Sequence, residues 1–151
     1  MRVVLQRVSS ARVRVEGSVV ASIGRGALLF VGIEPADTSE DVSVAVDKIA
    51  GLRVFADDVG KMNLSIGDVE GEIIVVSQFT LLGDIRKGRR PSFTGAATPD
   101  VAAPLLDEMV DGFRQIGIRT GTGVFGASME VDLVADGPVT LSFSVRNARL
   151  D

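Results

Sequence analysis

Two short segments carry the groups best suited to chemistry. Ser77-Gln78-Phe79-Thr80-Leu81 closes a strongly apolar run, and Gly137-Pro138-Val139-Thr140 opens another. Each sets hydroxyls, an amide or backbone carbonyls at the end of an expected core strand. There a rigid sheet can present them to a ligand without unfolding. Spacing alone also fits a plainer reading. Ser77 and Thr80 can cap free backbone groups where a strand stops, Phe79 is by type a core residue, and Gln78 fits either side. Asp136-Gly137-Pro138 is an ordinary turn signature. Proline donates nothing to a central ladder, so Pro138 belongs at a strand start, and an X-Pro bond is where a cis peptide is accessible.

The chain has no His and no Cys. A Ser-His-Asp triad, a Cys nucleophile, a Cys/His zinc site and an imidazole base are excluded. The acidic residues show no metal-binding spacing, so no metal and no cofactor is expected. Chemistry is left to hydroxyls, carboxylates, Lys, Arg, backbone groups or the substrate itself.

The 151 residues, 46% hydrophobic and 24% charged, suit one domain over residues 1–151 with a real core. Arg2 follows Met1 too early for a signal peptide, and no run approaches the length of a membrane span. The expectation is a cytoplasmic protein without a membrane partner. A net charge of −4 argues against a nonspecific nucleic-acid binder. Charge is uneven, however. Arg86, Lys87, Arg89 and Arg90 fall together just after the first segment. They make either a solvated surface loop or a phosphate clamp beside a site.

The elements that must position these groups are readable in outline. Val3–Val8 predicts a strand. Ala11–Val15 and Val19–Ile23 flank Glu16-Gly17-Ser18 as a hairpin. Ala27–Ile33 reads as a buried strand. Thr38 with Asp41 resembles a capping box for a helix whose face is Val42, Ala45, Val46 and Ile49, stopped at Gly51. Leu52–Phe55 reads as a further strand, 57–61 as a turn, and Ile73–Val76 as a central strand. Thr98-Pro99-Asp100 opens a second helix with Val101, Leu105, Leu106, Met109, Phe113 and Ile116 on its apolar face and Gly117 at its end. Ala127–Leu133 and Val139–Val145 alternate as half-buried strands. The fold class is α+β: a single domain of mostly antiparallel, largely hairpin-connected strands, barrel-like or a sandwich, with two α-helices.

Taken together, the motifs resemble one family nearly end to end. They are Gln6-Arg7-Val8, Gly60-Lys61-Met62-Asn63, Ser77-Gln78-Phe79-Thr80-Leu81, Arg90-Pro91-Ser92-Phe93, Thr122-Gly123-Val124-Phe125, Met129 and Asp136-Gly137-Pro138-Val139-Thr140. In this order and at this length the chain resembles the D-aminoacyl-tRNA deacylases that use neither metal nor histidine. The resemblance implies a homodimer that cleaves the ester joining a D-amino acid to the 3′-terminal adenosine of tRNA, with glycyl-tRNA as a secondary substrate. Ser77 to Thr80 would line the pocket of one subunit, and Gly137-Pro138, as a Gly-cis-Pro element, would enter from the other. Arg7 would hold that element, and Met129 would lie near the adenosine or the pocket wall. Arg86 to Arg90 would contact tRNA phosphates. One departure is Ala135, where the family commonly has Asn.

A mechanism must work without an imidazole. Thr80 is a nucleophile on paper, but no base stands in either segment to activate it. The preferred reading is noncovalent. Backbone N–H groups at Phe79 and Thr80 stabilise the oxyanion, and the ribose 2′-hydroxyl helps activate water. Two readings of other classes stand beside this one: a catalytically silent RNA-end-binding module, and a small-ligand β-domain with no RNA partner.

Overall fold

The computed structural model describes residues 1–151. The chain opens with one long strand, β1 (Arg2–Val15), where two shorter pieces were expected. A two-residue turn at Glu16 and Gly17, both at positive φ (50° and 78°), leads into β2 (Ser18–Ile23). Positive φ at both central residues matches the right-handed twist of a tight hairpin. Then follow β3 (Gly26–Gly32), α1 (Ser39–Gly51), β4 (Phe55–Ala56), β5 (Met62–Leu64) and β6 (Glu72–Ser77). A 3₁₀ turn (Phe79–Leu82), α2 (Pro99–Gln115), β7 (Thr120–Thr122), β8 (Glu130–Arg146) and β9 (Arg149–Leu150) complete the chain.

The main sheet runs β7-β6-β3-β1-β8-β9, with β2 against the second half of β1. β1 pairs antiparallel with β2, β3 and β8, whereas β6 lies parallel to both β3 and β7. Antiparallel pairing dominates, so the α+β reading holds, but the hairpin-connected picture is incomplete. The links β3→β6 and β6→β7 are crossovers that carry α1 and α2, as parallel neighbours require. The sheet curls without closing.

Two clusters hold it together. Met1, Val3, Leu5, Leu29, Val31, Ile73 and Val75 face the helices and meet Val46, Ile49, Met109 and Phe113. Val8, Val13, Leu28, Ile74 and Val76 fill the inside of the curl. β3 and β6 are therefore buried on both faces, and this is why they read as unbroken apolar runs. Gly26 allows their closest approach, since a Cβ there would overlap the Glu72 carbonyl.

Local signals set the helix ends. Asp41 accepts the Thr38 N–H (2.9 Å) and hydroxyl (3.1 Å), the acidic half of the expected box. α2 begins at Pro99, although the Thr98 side chain makes no cap hydrogen bond. It ends with Gly117 at φ +87°, Ile118 N–H bonding Phe113 O (3.0 Å) and Gly117 N–H bonding Arg114 O (3.0 Å). That is a Schellman stop.

Other expectations need correction. Gly51 lies inside α1, and extended Leu52 terminates it. Only Phe55 of the expected Leu52–Phe55 strand is in β4. Ile116 is 53% exposed, and Ile118 is buried instead. The strands expected at Ala127–Leu133 and Val139–Val145 are one strand, β8, which continues through Asp136-Gly137-Pro138 without a chain reversal.

Candidate active site

Ser77 is the last residue of β6, and the chain leaves the sheet there. The Gln78 N–H still bonds Val31 O (2.8 Å), which extends the parallel register by one residue. The 3₁₀ turn then closes with Leu81 N–H on Gln78 O (3.2 Å) and Gly83 N–H on Thr80 O (3.0 Å). The N–H groups of Phe79 and Thr80 head this turn and have no partner within it. Gly32 lets the turn sit tightly on β3: a Cβ there would lie 3.0 Å from Gln78 O.

The end of β6 and the first residue of the turn form one wall of a cavity of about 640 Å³, a size that suits a small ligand, while Thr80 lies outside its lining. Ser77, Gln78, Phe79 and Met129 line it with Phe93, Phe125 and the start of α2. No lining residue carries an ionisable side chain. Phe79 is 54% exposed and meets Phe93 edge-to-face at 5.1 Å, so the core role its type suggests is wrong. The turn has flipped it out of the sheet to form the mouth. Met129 precedes β8 and occupies space that Gly123 leaves open, since a Cβ on Gly123 would overlap its sulfur. Phe93 and Phe125 stand within sequence motifs whose residues alone assign them no role. The available signal was exposed-loop aromatics in a chain only 5% aromatic.

Thr80 is exposed, and its hydroxyl accepts a short hydrogen bond from the Gln78 amide. An amide N–H cannot take a proton. Nothing in this geometry prepares the Thr80 oxygen to attack.

Gly137 and Pro138 do not line this cavity. They are exposed, and the bond between them is cis. Gln6 pairs with Thr140 and Val8 with Ala135, so residues 136–139 bulge out opposite Arg7 alone. Bulges of this kind re-aim a strand's groups. Arg7 is nearly buried. Its Nε donates to Asp136 O (3.0 Å) and lies 3.2 Å from the Asp136 carboxylate, while Nη1 donates to Val54 O. On the other side the Gln6 Nε2 donates to Val139 O (3.2 Å), and the Thr140 hydroxyl donates to Gln6 Oε1 (2.5 Å).

The basic run caps a small hairpin closed by Asp84 N–H on Ser92 O (2.7 Å) and Ser92 N–H on Asp84 O (2.9 Å). Its base adjoins Phe93 at the cavity mouth. Arg86 is engaged within the loop, its Nη2 2.6 Å from Asp84 Oδ2. Hydrogen bonds from Arg86 hold the Asp84 carboxyl far below the usual carboxylate range. Lys87, Arg89 and Arg90 are exposed and outside any ion pair. Nowhere do three His, Cys, Asp or Glu side chains converge as metal ligands would.

Comparison with known proteins bears on what this site serves. The family model for D-Tyr-tRNA(Tyr) deacylase matches residues 4–144. A D-aminoacyl-tRNA deacylase of Desulfatibacillum aliphaticivorans is 57% identical, over 93% of this chain and 97% of that protein. One from Geobacillus sp. (strain WCH70) is 59% identical, over 93% of each chain. Among solved structures, a c-Myc DNA unwinding element binding protein superposes with TM-score 0.90 at 37% identity, covering 97% of this chain and 99% of its own. A probable eukaryotic D-amino acid tRNA deacylase shares the fold at TM-score 0.84. With the family model spanning nearly the whole chain and relatives above half identity, the chain belongs to the D-Tyr-tRNA(Tyr) deacylase family and is an enzyme of that type.

Proposed function

We propose that this protein hydrolyses the ester of D-aminoacyl-tRNA, and of glycyl-tRNA, as a homodimer, and leaves L-aminoacyl-tRNA intact. The observation that carries the reading is a cavity of about 640 Å³ walled on one side by Ser77, Gln78 and Phe79, where the strand gives way to the 3₁₀ turn, with no ionisable side chain in its lining. Such a site can stabilise a developing oxyanion, and it offers no acid or base of its own. The Phe79 and Thr80 N–H groups polarise the ester carbonyl. Water attacks with help from the neighbouring ribose 2′-hydroxyl, and no covalent enzyme intermediate forms. Aminoacyl esters are labile, so positioning and charge stabilisation suffice.

Selectivity rests on the second segment. Gly137 and Pro138 are exposed on a bulge away from their own cavity. In the proposed dimer the partner subunit's Gly137 and the partner subunit's Pro138 enter the cavity, and their carbonyls accept the substrate α-amino group. With that group fixed, an L side chain runs into the wall while a D side chain points out, and glycine has nothing to exclude. Lys87, Arg89 and Arg90 meet phosphates near the tRNA 3′ end, and Met129 contacts the terminal adenosine.

The deciding experiment follows D-Tyr-tRNA, Gly-tRNA and L-Tyr-tRNA side by side, with and without EDTA. The first two are expected to be hydrolysed at rates EDTA does not change, and the third to survive. Equal rates on D and L substrates would overturn the chiral reading. Binding without turnover of any of them would leave an RNA-end-binding module.

A further inference from the structure

The bulge at residues 136–139 is held from two directions, and only one of them involves a charge. On the Arg7 side a guanidinium grips Asp136 O and the Asp136 carboxylate. On the Gln6 side a primary amide is used at both ends. Its N–H donates to Val139 O at 3.2 Å, and its oxygen accepts the Thr140 hydroxyl at 2.5 Å. The same nitrogen also donates to Arg7 O at 3.2 Å, which ties the amide to the strand opposite the bulge. Successive residues of β1 thus grip the first and last residues of one four-residue excursion. Asp136 is fixed at its start, and Val139 and Thr140 at its close.

We propose that Gln6 and Thr140 are positioning residues that set where the Gly137 and Pro138 carbonyls point, and hence how strictly the enzyme separates D from L substrates. The proposal rests on the function given above. Neither side chain need touch the substrate. Both polar ends of Gln6 matter: a carboxylate at position 6 would accept from Thr140 but set an oxygen against Val139 O. An alkyl group at position 140 would leave the Gln6 oxygen without its donor. Ser at position 140 keeps the hydroxyl and should substitute for Thr.

The test is steady-state hydrolysis of D-Tyr-tRNA and L-Tyr-tRNA by the full-length wild type, Gln6→Ala, Gln6→Glu, Thr140→Val, Thr140→Ser and the Gln6→Ala/Thr140→Val double variant. Thermal melting of each variant is recorded, with a crystal structure of Gln6→Ala. For Gln6→Ala, Gln6→Glu and Thr140→Val we expect KM for the D substrate to rise about tenfold with kcat within about threefold, as when ground-state binding is lost. The D-to-L preference should fall in parallel, with melting unchanged. Thr140→Ser should match wild type. The double variant should be no worse than the poorer single one, as for two ends of one interaction. The crystal structure should show residues 136–139 displaced. Unchanged KM and preference, or an undisplaced bulge, would overturn the proposal while leaving the deacylase reading intact. A fall in melting temperature that accounts for the whole loss would overturn it too. Inactive wild type would overturn the functional reading, and the crystal structure would still decide whether Gln6 places the bulge.

Discussion

At the scale of single residues, the surroundings of Thr80 separate two mechanisms. Its hydroxyl pairs with an amide donor, and no base adjoins it. Thr80→Ala should therefore cost less than about a hundredfold in kcat, the lower end of what losing one oxyanion donor costs. A folded mutant losing about four decades would indicate a covalent route. The lining also fixes the pH dependence. With no ionisable group in the cavity, kcat/KM between about pH 5 and 8 should show no break from the enzyme, and only the substrate amine and hydroxide should shape it. A bell whose limbs shift on mutating a protein carboxylate would contradict this. Ser77 and Gln78 could be placed at the cavity from sequence because they close an apolar strand, whereas Met129 reads as an ordinary strand residue and is singled out only by the family resemblance. Phe93 and Phe125 could not be given a role, because segments far apart in the chain bring them to Phe79 only after folding.

At the scale of elements, sequence was informative where the determinant is local. The start of α1 was legible because Thr38 and Asp41 lie one turn apart. Local letters missed what else Asp41 does, which is to accept the Ala148 N–H at 2.8 Å. Burial pushes its carboxyl up, but hydrogen bonds from Ala148 and Thr38 more than offset that, so its pKa lies below the usual value. A lowered pKa means stability that is present above the ordinary carboxylate range and lost as pH falls through the folded value. Asp41→Asn should destabilise the protein by about 1–3 kcal/mol near pH 7. Chemical denaturation should show the gap from wild type closing as pH falls below the ordinary carboxylate range. A constant gap at all pH values would mean that the charge is irrelevant. The same locality explains the main misreading. Asp136-Gly137-Pro138 is written like a turn, yet β8 continues through it, because the outcome depends on Gln6 and Arg7, more than a hundred positions away in sequence. A strand pattern cannot reveal a bulge whose cause is its partner strand.

At the scale of the whole molecule, β8 is an edge strand whose outer side is paired only near its end, by β9. Leu133 and Val134 are 38% and 57% exposed along it. An edge of this kind needs cover. A two-fold dimer burying roughly 1,200 Å² or more would supply it. Light scattering at micromolar concentration should report two copies of the 15.9 kDa chain. Val134→Asp should yield a folded monomer without deacylase activity, and a fully active monomer would refute the shared site. No helix is long and apolar enough to cross a membrane. The chain's want of histidine and cysteine reaches beyond mechanism, into how the enzyme can be blocked. Electrophilic warheads work by trapping an activated thiol, imidazole or hydroxyl, and this cavity holds none of these. Iodoacetamide or diethyl pyrocarbonate at doses that silence ordinary hydrolases should leave turnover intact. An inhibitor would have to succeed by shape and amide hydrogen bonding alone, as a reversible mimic of the tetrahedral state.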